Sequence, residues 1–195
     1  MPSPLAHVGV AWAVCASIEP AGSPLSATRW AVFAFAALAP DLDLLLVPWL
    51  GLDAHHGPSH SFMAAAAVGA LAARAAGLAR ADHALAAACG ALHVGLDWTT
   101  GTPDAPIHFG VMWAWPFSAA RAMASNPWFL PYHIDRPGFL ANVASWESVA
   151  PLARELGTVA ATAVAAAATR ALRRARRNPD EPAKGSATRT PRPPA

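Results

Sequence analysis

The sequence has few charged residues and very little cysteine. Only 13% of its 195 residues are charged, whereas 54% are hydrophobic. Its two cysteines, Cys15 and Cys89, lie far apart in apolar surroundings without a Cys-x-x-Cys spacing. This pattern argues against a disulfide framework and against a thiolate zinc site, and it predicts two buried, inert thiols. The chain is long enough for one domain with a sizeable core.

Long uncharged apolar runs are also missing. A membrane-spanning helix usually needs about 20 mostly apolar residues, and no stretch reaches that length without a charge or a histidine. The nearest candidates are Trp30 to Leu52, Phe62 to Ala73, Ala84 to Leu96 and Gly157 to Thr169. The first five residues lack the basic start of a signal peptide. Each apolar segment could equally be a buried helix of a soluble bundle.

Two features favour the membrane over a soluble bundle. The eight tryptophans suit the aromatic belt found at a membrane surface. The last apolar segment, which ends at Thr169, continues into a cluster of five arginines, as expected on the cytoplasmic side. We therefore predict membrane association with a cytoplasmic C-terminal tail.

The basic residues are concentrated at the C-terminus. From Arg170 onward there are eight basic and two acidic residues, so the rest of the chain has six basic and ten acidic residues, a net charge of 6 − 10 = −4. The tail at 179–195 is rich in proline, alanine, threonine and arginine, and we predict that it is disordered. Anionic lipid is the expected partner of this tail, because the tail follows an apolar helix. Nucleic acid is not expected.

The remaining residues, 1–178, are predicted to form one all-α domain, a membrane-associated multi-helix bundle. Alanine-rich segments with helix-forming composition alternate with loops rich in proline and glycine. The helical segments are Ala6 to Ile18, Thr28 to Pro40, Phe62 to Arg80, His83 to Asp97 and Pro151 to Asn178. The aromatic segment that begins at His108 and the loop containing His133 are expected to pack or to lie on the surface.

Three histidines lie within six residues in the segment His55 to Phe62, which reads HHGPSHSF. Pro58 predicts the start of a helix, with His60 in its first turn. The helix dipole there would disfavour a charged imidazole, leaving a ring nitrogen of His60 able to bind a metal. The alternative is a polar loop with a capping serine.

Carboxylates and further histidines lie elsewhere at suggestive spacings. Asp41 and Asp43 follow Pro40 and precede an apolar run, so burying both without a partner would be costly. Asp41 could instead cap the next helix. His93 and Asp97 are four residues apart and would share one face of a helix, which suits two ligands of one ion or a hydrogen-bonded pair.

These residues together form a set of nitrogen and oxygen ligands without cysteine. The candidate metal ligands are His7, Asp41, Asp43, His55, His60, His93 and Asp97. Such a set suits a divalent ion, with zinc or manganese as the first choices and iron also compatible. An ion with open positions would favour hydrolysis over a structural role, and seven ligands leave room for two ions.

The ordered set of motifs resembles the YdjM-like inner-membrane family, whose members are described as LexA-binding and as metal-dependent hydrolases. The matching elements are His7, the Pro-Asp-x-Asp motif from Pro40 to Asp43, the histidine segment from His55 to Ser61, His93 with Asp97, and Gly110 followed by Pro116 to Ser118. The resemblance covers about the first 120 residues. This chain has His56 where the family has arginine and Ser59 where it has threonine.

The resemblance implies a helical protein of the inner membrane, expected here to be multi-pass, with hydrolase activity. The leading hypothesis is a hydrolase whose metal-activated water attacks an ester or phosphoester, with a small molecule or a lipid as the substrate. Asp43 or His56 would accept the proton, and the residues do not decide between them. The alternatives are a non-enzymatic membrane or regulatory protein with a structural metal, and a soluble alanine-rich bundle with incidental histidines.

Overall fold

The computed structural model of the chain describes residues 2–19, 26–51, 55–102, 110–131 and 148–177. The α-helices, numbered here in chain order, are α1 (Pro4–Ile18), α2 (Ala27–Leu38), α3 (Val47–Leu50), α4 (Phe62–Ala75), α5 (Arg80–Trp98) and α6 (Val149–Arg177). Two short 3₁₀ helices, Ala39–Leu46 and Pro58–His60, precede α3 and α4. Strand pairing among the described residues is limited to two isolated bridges. The all-α prediction is therefore confirmed.

The helix predicted to start at Pro58 is divided into two in the structure. Pro58 begins a 3₁₀ turn that ends at His60, and the α-helix starts only at Phe62. Ser61 between them has an extended backbone, with ψ of 146°, and its side chain accepts a hydrogen bond from the Ala64 N–H. Serine is a strong N-cap, so the helix begins after Ser61 rather than at the proline.

Helices α4 and α5 form the most closely packed pair, joined by a short turn in which Gly77 adopts a positive φ of 68°. A Cβ on Gly69 would lie 2.2 Å from the carbonyl oxygen of Ala86, and one on Gly90 would lie 2.3 Å from that of Ala65. Only glycine permits this approach of the two backbones. The contact holds the first half of α4, which follows the histidine segment, against α5. Helix α5 carries the candidate ligands His93 and Asp97.

Small side chains fill the core between α1, α2, α4 and α5. The buried cluster consists of Ala11, Cys15, Phe33, Ala36, Ala37, Ala73, Ala86 and Cys89. The two cysteines are buried as predicted and are free thiols, with their sulfurs 3.5 Å apart. Arg29 bonds to the carboxylates of Glu19 and Asp82 at the edge of this core.

Helix α6 packs along α1. The buried carboxylate of Glu155 accepts hydrogen bonds from the backbone N–H of Ser3, at 2.7 Å, and from the Ser3 hydroxyl. Near the other ends of the two helices, the Arg173 guanidinium donates to the carbonyl of Ser17 at 2.7 Å. The two helices therefore run parallel, with one face of α6 against α1.

Among the described residues, none of the helices combines the length and the apolar character needed to cross a membrane. The multi-pass arrangement therefore stays a prediction. The predicted disordered tail at 179–195 lies outside the described residues, as do His108, at the start of the aromatic segment, and His133.

Candidate metal centre

The structure brings all seven predicted ligands into one buried cluster, although four different parts of the fold supply them. Helix α1 contributes His7, and the first 3₁₀ helix contributes Asp41 and Asp43. The segment before α4 contributes His55 and His60, and α5 contributes His93 and Asp97. His7, His60 and His93 are among the largest side chains with almost no solvent exposure.

Four side chains form the centre of this cluster: Asp41, His60, His93 and Asp97. The Nε2 atoms of His60 and His93 are 3.2 Å apart, and they lie 3.2 and 3.0 Å from Oδ2 of Asp97. Oδ1 of Asp41 lies 3.5 and 3.4 Å from the same two nitrogens. Four ligands bound tetrahedrally at about 2.0 to 2.1 Å from one ion would be about 3.3 to 3.4 Å apart. The observed separations therefore fit a single divalent ion among these atoms.

The directions of these polar groups also fit an ion. Both oxygens of Asp41 and of Asp97 are buried and make no hydrogen bond within the described part of the chain. Imidazole nitrogens are nevertheless 3.0 to 3.5 Å from three of those oxygens. Buried carboxylates without hydrogen bonds are costly unless a cation is present. The carboxylate oxygens thus approach the imidazoles without hydrogen-bonding to them, as expected of ligands that share one ion.

Other groups orient the two central imidazoles. Nδ1 of His93 lies 2.7 Å from the carbonyl oxygen of Ala37, which can only accept a hydrogen bond. Nδ1 therefore carries a proton, and Nε2 of neutral His93 presents its lone pair to the centre. Nδ1 of His60 lies 3.0 Å from Oδ2 of Asp43 in the same way. Histidine ligands of metals regularly donate their other ring N–H to an acceptor of this kind.

Asp43 lies behind the centre rather than inside it. Its Oδ1 is 2.6 Å from Nδ1 of His55, and its Oδ2 accepts a hydrogen bond from the Ser59 hydroxyl at 2.5 Å. With the contact to His60, both carboxylate oxygens face groups of the histidine segment. The geometry thus suits an orienting role for this side chain.

His7 and His56 flank the centre. The ring of His7 stacks on that of His93 with centroids 3.9 Å apart, and its Nε2 lies 3.5 Å from Oδ1 of Asp97. Nε2 of His56 lies 3.9 Å from Oδ2 of the same aspartate. His56 also has a φ of 61°, in the left-handed region that residues other than glycine rarely adopt. Strain of this kind persists only where the surroundings enforce it, often at functional sites.

A family model for the "YdjM inner membrane protein" matches residues 1–178. The chain belongs to the YdjM family. The match spans the whole predicted helical domain, so the resemblance inferred from the motifs is confirmed and extends beyond the first 120 residues. No curated protein and no solved structure matches the chain.

In this member of the YdjM family, a second group of histidines could hold an ion. His55, His56 and His60 each offer a ligand atom, and these atoms all lie within 4.8 Å of one another. His60 belongs to both groups, so two ions would be close neighbours.

Protons on imidazole balance the carboxylate charge of the centre. Burial opposes protonation of His60, but its contacts with Asp41, Asp43 and Asp97 outweigh burial and raise its pKa well above the usual value. Burial likewise opposes protonation of His93, but Asp97 and Asp41 raise its pKa to about 9. Without an ion, the three carboxylates therefore favour a charged His60, against the effect of the helix dipole.

Other residues of the cluster have lowered rather than raised pKa values. Burial raises the pKa of Asp41 and of Asp43, but the adjacent imidazoles overcome this effect and hold both values well below normal. For His56, burial lowers the pKa to about 3, although Asp97 opposes the shift. Burial and the neighbouring His93 also lower the pKa of His7. His56 is consequently neutral at pH 7.

The segment 110–122 holds the histidine segment in place, and Arg121 is a residue that the sequence analysis missed. Its Nη1 donates to the carbonyls of His55 and Gly110, at 3.2 and 3.1 Å. The Met112 N–H donates to the carbonyl of His56 at 3.0 Å, which helps to fix the left-handed backbone there. The motif that includes Gly110 indicated this segment, but no pattern in the sequence indicated Arg121.

Proposed function

We propose that this protein is a metal-dependent hydrolase at the inner membrane that cleaves an ester or phosphoester. Asp41, His60, His93 and Asp97 would bind the ion, with zinc or manganese as the first choices. The observation that supports this proposal is the convergence of buried carboxylate oxygens and imidazole nitrogens at 3.0 to 3.5 Å without hydrogen-bonding geometry. A bound divalent ion would polarise the scissile group and lower the pKa of an attacking water.

Access from solvent differs among the four ligands. The side chains of His60, His93 and Asp97 have no exposed surface, whereas 12% of the Asp41 side chain is exposed. A catalytic ion also needs a position for water or substrate, so in this proposal the ion takes a further ligand beside these four, as catalytic zinc does when it becomes five-coordinate. In this proposal Asp41 lies at the side where the substrate enters.

We assign the proton acceptor to His56 rather than Asp43. Both oxygens of Asp43 already contact imidazoles or the Ser59 hydroxyl, so this carboxylate is committed to positioning. His56 directs its Nε2 toward the centre, 3.9 Å from Asp97, and its backbone is held in an unfavourable conformation. A general base has to reach the reacting water in this way, although a pKa of about 3 makes the neutral His56 ring a weak base.

The surroundings suggest an amphipathic substrate such as a lipid ester. The chain that follows Asp43 exposes large apolar side chains, with Trp49 at 77% and Leu45 at 67% exposure. On the other side of the histidine segment, Trp113 packs against Phe62 with ring centroids 6.4 Å apart, and both rings are partly exposed. Membership in an inner membrane family agrees with a substrate presented at the bilayer.

The alternative is a non-enzymatic membrane or regulatory protein with a structural ion. One observation favours it, because four protein ligands at nearly tetrahedral separations would fill the coordination of zinc. An ion that only holds the helices together would contribute to folding stability without accepting substrate.

A hydrolysis screen with matched variants tests the proposal. Zinc- or manganese-loaded protein would be assayed on phosphate, carboxylate and amide esters, with wild type compared with His56→Ala and His83→Ala. We expect chelator-sensitive turnover that falls by at least about 100-fold in His56→Ala, a usual effect of losing a general base. His83 is on α5 but outside the cluster, so its variant should keep full activity. Turnover in no class, with metal bound stoichiometrically, would favour the structural alternative.

A further inference from the structure

The two cysteines of the chain meet in the core between α1 and α5. Cys15 lies in the last turn of α1, Cys89 lies near the middle of α5, and each is only 1% exposed. Their sulfur atoms are 3.5 Å apart, which is van der Waals contact, although 74 positions of the chain separate the two residues. The sequence analysis predicted two inert thiols, and the contact between the sulfurs changes that expectation.

Little has to move for these two sulfurs to form a bond. An S–S bond is about 2.05 Å long, so each sulfur would move toward the other by roughly 0.7 Å. A rotation of about 25° around the Cα–Cβ bond moves a sulfur that far, which is within the range that side chains adopt at small cost. The two helices can therefore stay in place while the bond forms.

The surroundings of the two cysteines favour a disulfide over a lasting thiolate. The cysteines belong to a buried cluster that also contains Ala11, Phe33 and Ala86, whose side chains carry no polar atom. A thiolate would be a charge buried in an apolar core, which is costly. A disulfide is uncharged and needs no hydrogen-bond partner, so it fits this core as well as the two thiols do.

We infer that Cys15 and Cys89 form a site of reversible oxidation, at which hydrogen peroxide converts the two thiols into a disulfide bond between α1 and α5. In the first step the Cys15 sulfur attacks one peroxide oxygen, the O–O bond breaks, and Cys15 becomes a sulfenic acid with release of one water. The Cys89 sulfur then attacks the Cys15 sulfur and displaces the hydroxyl group, which leaves as a second water. The thiols lose two electrons to the peroxide, and their two protons end in the water.

The contact between the sulfurs also decides which cysteine reacts first. A hydrogen bond from the Cys89 thiol lowers the pKa of Cys15, although burial opposes this shift, whereas the same contact and burial both raise the pKa of Cys89. The thiolate is the reactive form of cysteine, so Cys15 attacks the peroxide. Helix ends open locally more readily than helix centres, and the position of Cys15 in the last turn of α1 gives the peroxide access.

The disulfide would join the two helices that hold His7 against His93. Cys89 lies one turn before His93 on α5, and Cys15 lies about two turns after His7 on α1. The bond would thus be a second connection between α1 and α5, beside the stacked imidazoles. This inference concerns oxidation of the protein itself and does not depend on the proposed catalysis.

Treatment of the full-length protein with hydrogen peroxide tests this inference. Chelator would be present, so that a bound metal takes no part in the oxidation. After denaturation and labelling with a maleimide, untreated protein should carry two labels and oxidised protein none, and dithiothreitol should restore both. Peptide mapping without reductant should show the peptide containing Cys15 joined to the peptide containing Cys89, in a protein that is still a single chain.

A shift in melting temperature provides a second readout. A bond between residues 74 positions apart restricts the unfolded chain, so oxidation should raise the melting temperature of wild type by roughly 4 to 16 °C, reversibly. Cys89→Ala keeps Cys15 but has no partner for it, so peroxide should not raise its melting temperature. Two labels that survive excess peroxide, sulfinic acids without a cross-link, or a disulfide between two chains would each overturn the inference. So would an equal rise in wild type and Cys89→Ala.

Discussion

The close packing of α4 against α5 at Gly90 allows a prediction about both folding stability and metal binding. In Gly90→Ala the new methyl carbon would lie 2.3 Å from the Ala65 carbonyl oxygen, roughly 1 Å inside ordinary contact. Because the neighbour is backbone, no side-chain rotation relieves the clash and the helices must separate. Overpacking of this kind costs about 1 to 3 kcal/mol.

Gly95→Ala is the matched control on the same helix. A Cβ at Gly95 has no heavy atom within 4 Å, so alanine should stabilise the helix by about 0.5 to 1 kcal/mol. We therefore expect the two variants to differ by about 1.5 to 4 kcal/mol in free energy of unfolding, measured by urea denaturation. Gly90→Ala should also bind metal more weakly, because His93 and Asp97 follow Gly90 on α5. Equal stability of the two variants would refute the packing argument.

Three further predictions concern the centre. Asp43→Asn should lower metal affinity about 10- to 100-fold in a metal titration while leaving the fold intact, because it weakens the acceptor that orients His60; unchanged affinity would remove Asp43 from this role. Zinc affinity should rise about a hundredfold per pH unit between about pH 6 and 8, since binding must displace the protons that the raised pKa values keep on His60 and His93. Calorimetry in buffers of different ionisation enthalpy would detect those protons, and no proton release would contradict the assignment. Chelation should lower the melting temperature of metal-loaded wild type but not of Asp97→Ala.

The raised pKa of His93 also determines how the folding stability of the metal-free protein changes with pH. A histidine whose pKa is raised from 6.5 to about 9 on folding stabilises the fold fully below about pH 6.5. This contribution is lost as the pH rises through about 9. Bound metal should remove the effect, because it takes the place of the proton.

The all-α fold and the membership of the cluster could be predicted because they depend on local chemistry. Alanine-rich segments between proline-rich turns indicate helices, and buried histidines and aspartates need partners whatever the fold. The His93 and Asp97 pair follows directly from helical spacing. The structure adds that His7 stacks on His93, a contact across two helices that no local pattern encodes.

The remaining features depend on tertiary contacts. The charge state of His60 follows from three carboxylates that come from two distant parts of the chain. The sequence did not distinguish Asp43 from Asp41 as a ligand. Only the fold shows that Asp41 faces the centre and that Asp43 lies behind it. Arg121 donates to backbone carbonyls, which every residue has, so its partners cannot be identified from the sequence.

Metal analysis of the purified full-length protein tests the central claim most directly. Wild type and His83→Ala, which alters a histidine outside the cluster, should each carry about one or two zinc or manganese ions per chain. His60→Ala and Asp97→Ala should carry almost none, while circular dichroism shows that they remain helical. Negligible metal in all four proteins, or the same metal content in all four, would contradict the account.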